Sequence, residues 1–98
     1  MITFNNKNLY NKETAMLDMG AYNTKGKNEQ YESVMIYFSP EAEEFFLHVV
    51  HEDHSEEIVP ISDEDIDFWE AEYFTGRMSM GQIADAALEK REAEYVYE

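Results

Sequence analysis

The period of apolar and polar positions changes once along the chain, near residue 62. Before it, apolar residues alternate with polar ones or come in short runs; after it they recur every three or four positions. Between Thr14 and Tyr22, Ala15, Leu17, Met19 and Ala21 alternate with Met16, Asp18 and Gly20, the period of two of a half-buried strand. Helix is the alternative there, since Ala, Met and Leu also favour it. Tyr31 to Phe38 predicts a second strand, with Tyr31, Ser33, Met35 and Tyr37 on one face and Val34, Ile36 and Phe38 on the other. Ser39 to Glu44 breaks that strand, and Phe45 to His51 predicts a third, joined to it as an antiparallel hairpin. Ile58, Val59 and Ile61 suggest one more short strand, which Pro60 confines to an edge because it has no amide hydrogen for a ladder. Ile2 to Phe4 reads as an initial strand, and the wholly polar Asn23 to Gln30 as an exposed connection.

Ser62 is the clearest helix start. Its hydroxyl can accept from an amide of the first turn, Asp65 sits at the capping-box spacing, and Asp63, Glu64 and Asp65 suit the positive end of the helix dipole. This helix is expected to bury Ile66, Trp69 and Tyr73 and to end at Phe74-Thr75-Gly76. A last helix is expected from about Ser79, with Met80, Ile83, Ala84, Ala87 and Leu88 inside and Gln82, Asp85, Glu89 and Glu92 outside; Tyr95-Val96-Tyr97 adds a strand or frays. Strands first and helices second predict a single α+β domain over residues 1–98, an antiparallel sheet of three to five strands packed by two C-terminal helices.

Charge changes this picture. The 98 residues carry a formal net charge of −15, yet 44% are hydrophobic and 14% aromatic, enough to fold rather than remain disordered. The charge is uneven: Lys7, Lys12, Lys25 and Lys27 nearly balance the acids of the first thirty residues, whereas Glu41 to Glu72 holds thirteen Asp or Glu and no Lys or Arg. An anionic surface of this kind repels nucleic acid and anionic lipid and attracts basic proteins. There is no cysteine, hence no disulfide framework, no apolar run approaches bilayer length, and the N-terminus lacks a signal-peptide pattern. A cytoplasmic protein that makes no membrane contact is expected.

Catalysis has little to stand on. There is no phosphate-binding Gly-rich loop, no nucleophile elbow and no Cys to pair with a His, and paired carboxylates mean little in so acidic a chain. No catalytic residue is assigned. His48, His51 and His54 with Glu52 and Asp53 have the ligand chemistry for a divalent metal, but on a strand His48 and His51 point to opposite faces. No metal or other cofactor is therefore expected; the histidines could instead be held protonated by neighbouring acids.

The order of segments has a resemblance. LYNKETA at 9–15, YESVMIYFSPEAEEFFLHVV at 31–50 and EIVPISDEDIDFW at 57–69 resemble a diffuse group of small acidic proteins encoded by phages and mobile elements, anti-CRISPR or anti-restriction-like. A Gly-rich turn common in that group after the FFL strand is replaced here by His51-Glu52-Asp53-His54-Ser55-Glu56. The resemblance implies a mobile-element setting, in which such proteins occupy the nucleic-acid groove of a host defence enzyme. The residues themselves offer an acidic array: Asp63, Asp67 and Glu70 at i, i+4 and i+7, the first step spanning ~6 Å. DNA presents a phosphate every ~3.4 Å per strand, so Glu41, Glu43 and Glu44, and Glu52, Asp53, Glu56 and Glu57, have to complete it. Tyr31, Tyr37, Trp69 and Tyr73 are candidates for stacking on a partner. The expectation is a non-enzymatic inhibitor that contacts no nucleic acid directly and whose partner is a basic nucleic-acid-binding host protein, a CRISPR effector or restriction enzyme. The alternative is a self-associating module, a homodimer formed through the last helix or the tail.

Overall fold

The computed structural model describes the backbone of residues 14–96 and the side chains of residues 14–90. The strand expected at Ile2–Phe4, Glu92 and Tyr97 lie outside these limits. Among the described residues, four strands, β1 (Met16–Lys25), β2 (Gln30–Ser39), β3 (Glu44–His51) and β4 (Glu56–Ile61), precede two helices, α1 (Asp63–Phe74) and α2 (Met80–Val96). The strands form one antiparallel sheet in the order β1-β2-β3-β4, so the α+β class read from the periodicity holds. Pro60 lies on β4, an outer strand of that sheet, where a missing ladder donor is tolerated. Tyr95 and Val96 continue α2 rather than adding a strand.

Two irregularities shift the side-chain phase that simple alternation predicts. In β1 the register slips between Leu17 and Met19, leaving Asp18 as the extra residue: Leu17, opposite Tyr37, is 60% exposed, while Met19, opposite Ile36, is buried. In β2 it slips between Tyr31 and Ser33, next to the left-handed Asn23 (φ 51°) on β1. Tyr31 therefore joins Val34 and Ile36 in the core, not Ser33, Met35 and Tyr37. A bulge supplies one unpaired residue, and one residue is enough to exchange faces.

Both helices cover the same sheet face. Met19, Val34, Ile36, Leu47, Val49, Val59 and Ile61 from the strands meet Ile66, Trp69, Met80, Ile83, Ala84 and Ala87 from the helices. Each fully buried aliphatic or aromatic side chain here contributes roughly 1.5–3 kcal/mol. On the other face Tyr37 stacks on Phe46 at 5.4 Å.

The helix ends follow local chemistry. The Ser62 hydroxyl accepts from the Asp65 amide at 3.2 Å. At the other end of α1, Gly76 is left-handed (φ 79°), with Arg77 N–H donating to the Glu72 carbonyl and Gly76 N–H to that of Tyr73, a Schellman motif. Ser79 and Gln82 cap α2 reciprocally, each backbone amide donating to the other's side chain at 2.9 and 3.2 Å. Gly81 lets that first turn lie directly on β1: its amide donates to the Thr24 hydroxyl, and a Cβ there would stand 2.4 Å from the Lys25 carbonyl. No helix among the described residues is long and apolar enough to cross a membrane.

Candidate protein-binding surface

The hairpin register divides the acidic residues between two ends of the sheet. Glu41 and Glu43 lie in the β2–β3 turn and Glu44 opens β3. Phe45 pairs with Ile61, which brings the start of α1, and hence Asp63, to the same end. Met16 pairs with Phe38, so the first residues of β1, including Asp18, lie there too. Glu52 and Asp53 occupy the β3–β4 turn, and Glu56 and Glu57 open β4, at the opposite end. The eight residues of β3 separate the two groups by about 25 Å at ~3.3 Å per residue. The ten acids singled out from the sequence thus form two groups, not one continuous array.

At the far end the histidines take up the carboxylates. His48 Nε2 lies 2.7 Å from Glu56; His51 bridges Glu29 at 2.9 Å and Glu57 at 2.6 Å; His54 Nδ1 lies 3.1 Å from Glu32. Burial disfavours the charged His51 ring, but hydrogen bonds and charge from Glu29 and Glu57 outweigh it and raise the pKa above the ordinary value. The two acids thus favour the protonated form of His51. His48 and His51 address Glu56 and Glu57, neighbours whose side chains leave β4 on opposite faces, and no group of three His, Asp or Glu among the described residues is arranged to hold a metal ion. His54 has φ 73°, the conformation that a glycine takes without strain, and the Asp53 carboxylate ties the turn by accepting from the Ser55 amide and hydroxyl.

The near end is different. On α1, at 100° per residue, Asp63 and Asp67 share the outward side with Glu64, Phe68, Ala71 and Phe74. Lys90 and Arg77 pair with Asp65 and Glu72, which lie on the other flank of the helix. Cations therefore compensate one flank and leave Asp63 and Asp67 to solvent. Glu70 is the exception within the predicted set. Its hydrogen bond to Asp18, its partial burial and the charges of Asp18 and Asp67 push its pKa up to about 7. It carries a full negative charge only above neutrality, so the helix array is Asp63, Glu64 and Asp67 rather than Asp63, Asp67 and Glu70.

The aromatics redistribute as well. Tyr31 and Trp69, both proposed for stacking, are buried, and Tyr37 and Tyr73 are half-buried. Burial and then the hydrogen bond to Asp85 raise the Tyr31 pKa, so its hydroxyl stays protonated and donates to that carboxylate. Asp85, read as an outer position, is half-buried by this bond and by one from the Lys27 amide. Phe68 and Phe74, 57% and 72% exposed, are the aromatic residues that α1 presents. The sequence held a signal for them: both fall off the Ile66, Trp69, Tyr73 stripe. Asp18 had none, because only tertiary packing brings it near Glu70. Comparison with known protein families, curated proteins and solved structures finds no match.

Proposed function

We propose that this protein is a non-enzymatic inhibitor that binds a basic, nucleic-acid-contacting protein surface through the acidic end of its sheet, competing with the nucleic acid for that surface. The observation that supports this reading is the grouping of Glu41, Glu43 and Glu44 with Asp63 and Asp67 at one end of the fold, while Lys90 and Arg77 are engaged on the other flank of α1. Exposed charges of one sign attract oppositely charged partners over a Debye length of about 8 Å at physiological salt and release them as salt rises. Combined with the resemblance of the segment order to small phage and mobile-element proteins, the concrete form of the proposal is an anti-CRISPR or anti-restriction inhibitor, with a CRISPR effector or restriction enzyme as partner. The hairpin-end acids Glu52, Asp53, Glu56 and Glu57 have a lesser part in it, because Glu56 and Glu57 serve His48 and His51.

The test is capture from a nuclease-treated bacterial lysate on immobilised protein, beside the Asp63→Lys/Asp67→Lys variant. The expected result is a nucleic-acid-processing protein retained at low salt, eluted at high salt and absent from the variant. Retention indifferent to both salt and the double reversal would overturn the reading.

A further inference from the structure

The side of α1 that faces away from the core carries Asp63, Glu64, Asp67, Phe68, Ala71 and Phe74, all of them exposed. Nothing local asks for phenylalanine there. Phe is a poorer helix former than the Lys, Gln or Glu that suit a solvated position, and neither Phe68 nor Phe74 belongs to the core. At 57% and 72% exposure both rings face water. Ala71 stands three residues from each, so a small side chain lies between two large ones along about 9 Å of helix. Phe74 also meets Tyr73 edge to face at 5.4 Å, a contact that steadies its ring. The carboxylates are interleaved with the rings: Glu64 lies one turn before Phe68, and Asp67 two turns before Phe74. Asp63 and Glu64 answer the helix dipole of the first turn, but Asp67, a turn later, does not. Among the described residues no cation pairs with Asp63, Glu64 or Asp67, because Arg77 and Lys90 are taken by Glu72 and Asp65 on the other flank.

We propose that this face of α1 seats arginines of a partner segment, their guanidinium planes lying on Phe68 and Phe74 and their N–H groups donating to Asp63, Glu64 and Asp67. This deepens the function proposed above and rests on it, naming arginine as the side chain that the acidic surface takes. Charge complementarity selects the occupant. A wholly apolar partner would strip water from three carboxylates without pairing them, which costs more than contact with two phenylalanines returns. A second copy of this chain would bring 22 acidic against 7 basic side chains, and nucleic acid would bring phosphates, so both are repelled. Lysine answers the carboxylates alone, since its ammonium is compact and strongly hydrated. Arginine answers both halves of the face, because its weakly hydrated planar fork stacks on a ring while it bonds a carboxylate. Charge then draws the segment in, and the rings choose between cations.

The experiment uses the full chain and two labelled peptides of equal length and charge, followed by fluorescence anisotropy at low salt. One carries arginines spaced by glycine and serine, the other lysines in their place. The arginine peptide is expected to bind about fivefold to tenfold more tightly, the order of gain from one or two exposed cation–π contacts. Phe68→Leu/Phe74→Leu keeps apolar bulk and removes the rings; it should bring the arginine peptide down to the lysine level, whereas Phe68→Tyr/Phe74→Tyr should keep the difference. Both positions are exposed, so these variants should fold, and comparing the peptides on the parent needs no variant at all. Asp63→Lys/Asp67→Lys is expected to weaken both peptides. Equal binding of the two peptides to the parent, or an arginine preference that survives the leucine variant, overturns the seat while the acidic-surface reading stands. If neither peptide binds, both readings fall. A dimer in sedimentation that the leucine variant dissolves would assign the face to a second copy and overturn the proposal.

Discussion

Glu70 on α1 and Asp18 on β1, far apart in sequence, stand close enough for their carboxyl groups to share a proton. The hydrogen bond to Asp18, the partial burial and the nearby Asp67 keep that proton on Glu70 up to about pH 7, against 4.5 in an ordinary carboxyl. Because the folded pKa is raised, the stabilisation is fully present below about pH 4.5 and is lost as pH rises through 7. Replacing Glu70 with Gln keeps a donor for Asp18 without the charge. Glu70→Gln should therefore stabilise the fold at pH 8 by about 1 kcal/mol, after allowance for solvent screening, and change it little at pH 5. Thermal melts at the two pH values check this.

His51 has the same sign for a different reason. Burial opposes its charge, but Glu29 and Glu57 on either side raise its pKa above 6.5, so its contribution is complete below that value and fades as pH rises through the raised one. His51→Gln should be less stable than the parent at pH 6 and close to it at pH 8.5. Urea unfolding at both values, with an NMR titration of the imidazole, reads the two effects separately.

Gly81 is a packing glycine. A methyl group there would meet the Lys25 carbonyl carbon and oxygen at 2.4 Å, backbone atoms that a strand holds in place. Although alanine is the better helix former, Gly81→Ala should cost about 1–3 kcal/mol because α2 has to lift from β1. A lower urea midpoint with an unchanged slope is the expected outcome.

Glu43 occupies the left-handed region (φ 55°) in the β2–β3 turn, where its amide donates to the Ser39 carbonyl at 2.8 Å. A side chain is strained in that conformation and glycine is not. Glu43→Gly should leave thermal stability unchanged or raise it by up to about 1 kcal/mol, the relief of strain exceeding the entropy glycine adds to the unfolded chain. It should at the same time weaken binding of cationic peptides at low salt.

The elements were legible because their causes are local. Ser62, Pro60 and the change of hydrophobic period each act over a few residues, and the sheet with two following helices is what those signals predict. The sequence also determined the chemistry: many carboxylates, few cations and a run from Glu41 to Glu72 without Lys or Arg. Tertiary structure alone decided where that charge goes. Strand register sends Glu43 and Asp53 to opposite ends of β3, a bulge turns Leu17 out, packing brings Asp18 near Glu70, and hairpin pairing places Glu29 and Glu57 on either side of His51. These relations depend on residues far apart in the chain, and a one-residue slip in pairing exchanges the faces on which side chains stand, so no local pattern encodes them.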